Sequence, residues 1–316
     1  YWGQFPGLKD RMIQYGQFLE KGMSNHGEIF NYGLVDTEEQ GKKAGEWFNK
    51  NNVDLIFCHS GTYATSSTVL PVHQICKAPV IILNLQPTER LNYEKITTGE
   101  WLANCGACPV PEISNVFNRA GIDFRVVSGL LGLDYTPENS LANEKTSEKK
   151  EAVNAWKNIN EWIRAASVQR NLKNSNFGFL GGYYSGMLDM YSDFAMLQAQ
   201  TGMHIEMLEM CDLDRFLQNV TEDEVKVKME EVSEMFQISG DSPSDPLAKK
   251  PTKEQIEWSC KIAAAQENMI KEYNLDALTY YYHGSEGNHY EKVQSGFIVG
   301  HSLLTAKGIP CAGEGD

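Results

Sequence analysis

The alternation that decides the fold lies in Leu55–Leu85, which reads LIFCHSGTYATSSTVLPVHQICKAPVIILNL. Two apolar runs of strand length, Leu55–Cys58 and Val80–Leu85, enclose a segment of helical period, Thr65–Cys76. A helix between two strands is typical of the right-handed crossover that joins parallel strands. This stretch therefore predicts a strand-helix-strand unit in a parallel sheet with helices on its faces.

The same alternation continues in both directions from this unit. Further predicted strands are Ile29–Val35, Phe124–Val127, Phe177–Leu180, Ile205–Leu208 and Leu278–Tyr282. Predicted helices are Leu8–Lys21, Thr37–Asn51, Glu112–Ala120, Glu148–Leu172, Leu188–Thr201, Glu222–Phe236, Thr252–Tyr273 and Ser295–Lys307. The pattern predicts an α/β protein with two doubly wound, mostly parallel-sheet domains.

Two polar stretches compete as the domain boundary. Asp134–Ser147 is rich in Thr, Pro and Asn, and Asn171–Asn176 precedes a strand that restarts the alternation. The long helix between them is free to pack on the first sheet. We therefore place the boundary near residue 174, which gives domains 1–174 and 175–316.

Charge and composition narrow the classes of function. The 316 residues include 42 acidic and 28 basic side chains, for a net charge of −14. This balance argues against binding nucleic acid or an anionic membrane, since both need clustered Lys and Arg. No apolar run reaches about 18 residues, the length of a membrane-spanning helix, and the seven cysteines are scattered. We expect free thiols and a cytoplasmic location.

Candidate ligand-binding residues lie in loops that follow the predicted strands, because ligands bind beyond the carboxyl ends of parallel strands. Four such loops are rich in glycine, aromatic and neutral hydrogen-bonding residues and poor in Lys and Arg: 58–63, 84–89, 181–187 and 282–287. This chemistry favours a neutral polyhydroxylated ligand such as a sugar over a phosphate. Gly181-Gly182 lacks the spacing of a dinucleotide site and is equally typical of a tight turn.

Metal and redox signals in the middle of the chain are weak. Cys105 and Cys108 match C-x-x-C but have no second pair of ligands nearby in sequence. His59 is as compatible with local hydrogen bonding as with substrate contact. His283 and His289 flank a Gly-Ser-Glu-Gly loop, which is compatible with metal binding or with solvent-exposed side chains.

The last residues carry a stronger signal. A helical segment ends at Gly308, a short apolar run follows, and Glu314 then lies between two glycines. Because glycine has no side chain, such a loop lets a metal or ligand approach the carboxylate closely.

Both ends of the chain resemble one enzyme family. The opening Tyr1–Leu8 (YWGQFPGL) and the closing Ala312–Asp316 (AGEGD) resemble the corresponding segments of L-arabinose isomerases and the related L-fucose isomerases. The L-fucose enzymes carry Ala-Asp after the glutamate, whereas this chain has Gly315-Asp316, which favours the arabinose type. By the same resemblance, the chain starts after the family's first strand and ends before its C-terminal domain.

The resemblance implies a metal-dependent aldose–ketose isomerase, an intramolecular oxidoreductase that uses Mn²⁺ or another divalent ion on an unphosphorylated sugar. It implies that Glu314 binds the metal and serves in acid–base catalysis, with the remaining ligands beyond Asp316. It also implies a homo-oligomer, a trimer or hexamer, with pockets near subunit interfaces.

The family's sugar-contacting positions correspond here to four residues. They are Gln4, Gln86, Met187 and Tyr282. Pro87 and Thr88, which follow Gln86, depart from the L-arabinose enzymes, so the identity of the sugar stays open. A sugar-binding or sensing module without catalysis is the alternative, since two α/β lobes are also the architecture of such proteins.

Overall fold

The computed structural model describes residues 2–91, 93–94, 96–135, 145–284 and 286–315. Tyr1, Ser285, Asp316 and most of the predicted Asp134–Ser147 linker lie outside the described residues. The chain divides into two compact units, Tyr1–Arg170 and Asn171–Asp316, so the division falls four residues before the boundary expected near 174.

The first unit, unit 1, has an α/β architecture with a three-stranded sheet. Its strands are β1 (Ile56–His59), β2 (Val80–Gln86) and β3 (Phe124–Leu130). Its helices are a 3₁₀ turn (Trp2–Gln4), α1 (Leu8–Met23), α2 (Glu38–Lys50), α3 (Ser66–Ile75), α4 (Thr98–Ala103), α5 (Val110–Ala120) and α6 (Lys150–Asn174), the last of which continues past the division. The strands are parallel and ordered β1-β2-β3.

Both faces of the first sheet are covered, because alternate residues of the central strand are apolar on each side. Ile81 and Leu83 pack with buried residues of α1 and α6, such as Tyr15 and Ile159. Val80 and Ile82 face the opposite way, in a cluster that includes Phe117 of α5.

The second unit, unit 2, contains a four-stranded sheet. Its strands are β4 (Asn176–Gly181), β5 (His204–Leu208), β6 (Ala277–Tyr281) and β7 (Cys311–Gly313). Its helices are a 3₁₀ turn (Leu188–Met190), α7 (Phe194–Thr201), α8 (Met210–Leu217), α9 (Glu222–Met235), α10 (Lys253–Tyr273), α11 (His289–Gln294) and α12 (Phe297–Ala306). All paired strands are parallel, in the order β5-β4-β6-β7.

The strand order of unit 2 contains a reversal. From β4 the chain passes to β5 on one side, and it later returns to β6 and β7 on the other side. Phe179 of β4 packs against Phe194 of α7 on one face, whereas Leu180 packs with residues of α8, α10, α11 and α12 on the other. The connections after β4 and β6 therefore leave toward opposite faces, which opens a crevice at their carboxyl ends.

The predicted α/β class and its mostly parallel sheets are confirmed, and several element predictions are corrected. Ile29–Val35 is extended but is not a strand, because no neighbouring strand hydrogen-bonds to it in the described part of the chain. The single helix predicted over Leu188–Thr201 is broken, since Asp193 caps a separate helix by accepting from the Met196 N–H. Short elements were missed: α4, α8, α11 and β7.

Candidate functional site

The candidate site lies at the reversal point of unit 2, where the loops after β4, β6 and β7 meet. Tyr184 follows β4, Tyr281 ends β6, His283 lies two residues later, and Glu314 follows β7. We call these four residues the carboxyl-end cluster. Because three parallel strands end at one sheet edge, residues distant in sequence come together there.

Close backbone contacts join the three loops. The Gly182 N–H donates to the Tyr281 carbonyl, and the Tyr184 N–H donates to the Glu314 carbonyl, both at 2.9 Å. Gly181 has φ of +83°, and a Cβ there would clash with the Tyr281 carbonyl oxygen. At Gly315, with φ of +90°, a Cβ would lie 2.9 Å from the Gly182 carbonyl oxygen. Only glycine allows this approach without strain.

Two aromatic rings and one imidazole lie next to one another, and the middle ring, Tyr281, is close enough to Glu314 to feel its charge. The Tyr184 and Tyr281 ring centroids are 5.2 Å apart, and the Tyr281 ring is nearly parallel to the His283 ring at 6.3 Å. The Tyr281 hydroxyl and His283 Nδ1 are 3.3 Å apart, within hydrogen-bonding distance. Tyr184 is 41 % exposed, so this surface is open to a ligand.

Glu314 is an exposed carboxylate in an uncommon backbone conformation. Its φ is +64°, a left-handed value that non-glycine residues adopt rarely and that often marks functional loops. In the described part of the chain its carboxylate makes no hydrogen bond or ion pair. Glu314 is therefore free to bind a ligand or to exchange a proton.

The tyrosines next to Glu314 are held in their neutral form. Burial raises the pKa of Tyr281, and the charges of Tyr184 and Glu314 add to the increase. Burial and the Glu314 charge likewise raise the pKa of Tyr280. At neutral pH these phenols keep their protons, and the accessible hydroxyl of Tyr281 is a hydrogen-bond donor.

The remaining residues proposed from sequence occupy varied positions. Met187 lies on the loop after β4, and its N–H donates to the Tyr184 carbonyl at 3.4 Å. Tyr282 packs against Tyr290, with ring centroids 5.7 Å apart, and against the core of unit 2. The Glu314 charge acts on Tyr280 and Tyr281, the last two residues of β6, whereas Tyr282 lies one residue beyond the strand.

Two proposed residues belong to unit 1. Gln4 is exposed in the 3₁₀ turn. Gln86 ends β2, and with its amide oriented to satisfy both partners it donates to the Asn104 carbonyl at 2.7 Å and accepts from the Ala107 N–H at 3.1 Å. The Gln86 side chain therefore contributes to loop structure.

His289 and the Cys105–Cys108 pair, which were ambiguous in sequence, now have partners, whereas His59 Nε2 is buried with no hydrogen-bond partner among the described residues. His289 Nε2 lies 2.8 Å from Asp214 Oδ1, which accounts for this side chain without a metal. The sulfurs of Cys105 and Cys108 adjoin each other, and Cys108 is exposed. Within the described ranges, no three His, Cys, Asp or Glu side chains are grouped so that they could hold a metal ion.

Sequence reasoning placed Tyr184 and His283 in the candidate loops 181–187 and 282–287 but did not bring them together, and it missed Tyr281. A signal was present, since all three are polar aromatic residues at or just after the ends of predicted strands. Their convergence depended on strand order, which the sequence pattern does not specify.

Comparison with models of known protein families and with curated proteins finds no match. Among the described residues, none of the helices combines the length and apolar character needed to span a bilayer.

Proposed function

We propose that this protein is an aldose–ketose isomerase acting on an unphosphorylated sugar with Mn²⁺ or another divalent ion. The observation that carries the proposal is the unpaired Glu314 carboxylate beside Tyr281 at the reversal point of the second sheet. The resemblance of both chain ends to L-arabinose isomerases supports the same reaction. The neutral, aromatic surroundings suit a sugar better than a phosphorylated ligand.

Glu314 is the proposed acid–base residue. Isomerisation breaks the C2–H bond of the open-chain aldose and forms a C1–H bond, while O2 loses a proton and O1 gains one. A carboxylate without competing partners can accept the proton from C2 and return it to C1. Its exposed, left-handed loop position leaves room for the sugar carbons to approach.

Tyr281 and His283 are the proposed groups for the oxygen protons. The neutral Tyr281 hydroxyl can donate a hydrogen bond to a sugar oxygen, and His283 Nδ1 lies at hydrogen-bonding distance behind it. Such a pair can pass a proton without leaving a charge on the phenol. The exposed ring of Tyr184 offers an apolar face for the C–H groups of a sugar.

Glu314 also fits one part of a metal site. Its carboxylate is a hard oxygen donor of the kind that Mn²⁺ takes. The described residues add no group of three ligands around it, so their donor set is incomplete. A divalent ion, when bound, would polarise the sugar oxygens.

Gln4, Gln86, Met187 and Tyr282 remain proposed sugar contacts by resemblance. Met187 has the most direct support, since its loop also carries Tyr184. Assembly into a trimer or hexamer is proposed on the same basis, and a cytoplasmic location is proposed from the scattered free cysteines. Light scattering that finds only monomer at micromolar protein would contradict the assembly proposal.

The test is a screen of unphosphorylated pentoses, hexoses and deoxy-sugars with the purified full-length protein and Mn²⁺. We expect one aldose to give its 2-ketose, with the activity lost in EDTA and restored by Mn²⁺. Exchange of the C2 hydrogen with solvent deuterium gives a second readout that needs no complete turnover. Absence of both ketose and exchange for every sugar would refute the isomerase proposal.

Sugar binding without turnover is the second candidate. The incomplete donor set favours it, because a binding site needs the Tyr184–Tyr281 surface but no metal. Calorimetry separates the two candidates. Binding of a sugar that is unaffected by EDTA, together with no exchange at C2, would support a binding module.

A further inference from the structure

Two cysteines of unit 1 form a close pair that the proposed sugar reaction does not use. Cys105 and Cys108 are both free thiols, and their sulfurs are 2.6 Å apart, with the Cys105 thiol donating to Cys108. This separation is only slightly longer than the bond of about 2.05 Å in a disulfide. The two sulfurs therefore need little movement to become joined. We call residues 105–108 the dithiol loop.

The backbone of the dithiol loop is a tight turn that keeps the two cysteines together. The Cys108 N–H donates to the Cys105 carbonyl at 3.2 Å, which is the bond that closes a four-residue turn. Such a turn holds its first and last Cα atoms less than about 7 Å apart, and a disulfide can bridge that distance. Bridging the pair therefore requires no rearrangement of the main chain.

Side chains that follow or end the strands of unit 1 hold the dithiol loop in place. The buried Ser60 hydroxyl donates to the Gly106 carbonyl at 2.8 Å. The Gln86 amide, in the orientation that satisfies both partners, donates to the Asn104 carbonyl and accepts from the Ala107 N–H. Because the turn is fixed before any reaction, each thiol has a high effective concentration for the other.

The two thiols differ in exposure, and this difference gives each a separate role. Cys108 is exposed, so a molecule in solution can reach its sulfur. Cys105 is 3 % exposed, and burial raises the pKa of its thiol to about 12, with the hydrogen bond to Cys108 adding to the increase. Exchange with a dissolved disulfide requires an accessible sulfur. Cys108 is therefore the thiol that reacts first, and Cys105 is the thiol that follows.

We propose that Cys105 and Cys108 are a thiol–disulfide exchange site whose substrate is a small dissolved disulfide. In the first step the Cys108 sulfur attacks one sulfur of the small disulfide, whose S–S bond breaks. A mixed disulfide forms on Cys108, and one small thiol leaves with the Cys108 proton. In the second step the Cys105 sulfur attacks the Cys108 sulfur, and the second small thiol leaves with the Cys105 proton. The protein loses two electrons and two protons, and the small disulfide gains them.

The same two steps in reverse return the pair to its reduced form when small thiols are in excess. Disulfides in reducing compartments are usually transient, and a reversible pair fits that setting. A bridge would fix the turn that bonds to the Gln86 amide. The proposal is independent of the sugar reaction, because both cysteines and their anchors lie in unit 1.

The test incubates the whole chain with glutathione and glutathione disulfide at rising ratios of disulfide to thiol. Remaining thiols are then blocked by alkylation, and the products are identified by mass spectrometry of the digested protein. Cys105→Ser and Cys108→Ser are compared with the unchanged chain, and circular dichroism reports whether each variant is folded. Cys211, an exposed cysteine of α8 in unit 2, is the internal reference for a single accessible thiol.

We expect the unchanged chain to form the Cys105–Cys108 disulfide, and to lose it when the ratio is reversed. Cys105→Ser should trap the first step, so that glutathione on Cys108 rises at least about tenfold above the unchanged chain. Cys108→Ser should leave Cys105 without glutathione, because that sulfur is buried. In urea, which removes the turn, the ratio needed to oxidise half of the pair should rise at least about tenfold.

Absence of the Cys105–Cys108 disulfide at every ratio would overturn the proposal. Equal amounts of glutathione on Cys108 and Cys211 in the unchanged chain would also overturn it, since Cys105 would then not displace the bound thiol. The same midpoint ratio in urea and in buffer would contradict the part of the proposal that rests on the folded loop.

Discussion

The two sheets of this protein are built alike, yet their carboxyl-end loops use polar groups differently. In unit 1 the loops bond to one another: the Ser60 hydroxyl donates to the Gly106 carbonyl at 2.8 Å, and Thr88 donates to the Asn104 side chain at 2.8 Å. In unit 2 the Glu314 carboxylate and the Tyr184 ring face outward. Polar groups that are satisfied internally stabilise a loop, whereas groups left available can act on a ligand.

The sharpest test of this contrast is Glu314→Gln. Glutamine keeps the size of the side chain but cannot accept the C2 proton and carries no charge for a metal. We expect isomerase turnover to fall by on the order of 10²–10⁴ with the fold unchanged. Turnover is measured as ketose formed per folded molecule, and circular dichroism reports the fold.

Glu272→Gln is the matched control, since Glu272 is an exposed glutamate of α10 outside the cluster. It should keep full activity. Full activity of Glu314→Gln would contradict the proposed role of Glu314. It would also remove the proposed difference between the loops that follow the strands of unit 2 and those of unit 1.

The next largest expected effect is a loss of stability when the close contact between the loops after β4 and β6 is disturbed. Gly181→Ala places a Cβ against the Tyr281 carbonyl at a left-handed φ, so we expect the free energy of unfolding to fall by about 3 kcal/mol or more. Gly186→Ala is the control in the same loop. Gly186 also has a positive φ, +100°, but a Cβ there meets nothing within 4 Å.

Gly186→Ala should cost only about 1 kcal/mol, because it adds backbone strain without a clash. Urea unfolding of the two variants gives the difference. Equal losses would mean that the loops after β4 and β6 do not approach as closely as described, and the carboxyl-end cluster would lose its geometric basis.

In the loops of unit 1 we expect the opposite result: a substitution should lower stability and leave activity unchanged. Ser60→Ala leaves the buried Gly106 carbonyl without its donor, which should lower the free energy of unfolding by about 1–3 kcal/mol. Because this hydroxyl is 5 % exposed and engaged within its own unit, activity per folded molecule should stay unchanged. A fall in activity at unchanged stability would contradict this expectation and would favour the proposed sugar contact of Gln86, which adjoins Gly106.

The sequence predicts the fold better than it predicts the candidate site. Val80–Leu85 was evident as a strand because its residues are apolar on both faces, and it is the central β2. Ile29–Val35 has the same apolar character but is not a strand, because pairing depends on a neighbour that the local pattern does not specify. Cys311–Gly313 is a strand, although three small residues carry no strand signal of their own.

Of the candidate site, sequence pointed to Glu314 and less to the residues around it. A glutamate between glycines stands out in sequence. Nothing in Tyr280-Tyr281-Tyr282 distinguishes the two rings that the Glu314 charge reaches from the ring that packs against Tyr290. That distinction depends on the β4–β6 pairing, and the order β5-β4-β6-β7 was not available from the pattern.

The smallest predicted effect concerns a feature that the two units share. Each contains a buried histidine against an aromatic ring: His73 against Phe117 at 4.9 Å, and His301 against Tyr280 at 4.7 Å. Burial lowers the pKa of each to about 4, from an ordinary value of 6.5. Between pH 6.5 and 4 the unfolded chain therefore binds a proton that the folded unit does not.

Stability should thus be complete above pH 6.5 and fall as the pH drops toward 4, by at most about 1.4 kcal/mol per pH unit for each histidine. His73→Leu should weaken this acid sensitivity in unit 1, where burial also lowers the pKa of His59 to about 4, and leave it unchanged in unit 2. His301→Leu should weaken it in unit 2 and leave it unchanged in unit 1. Hydrogen exchange at pH 5 and pH 7, resolved by unit, measures both. If His73→Leu protected both units equally, their unfolding would be a single event, and the two sheets would have to be treated as one cooperative structure in every comparison above.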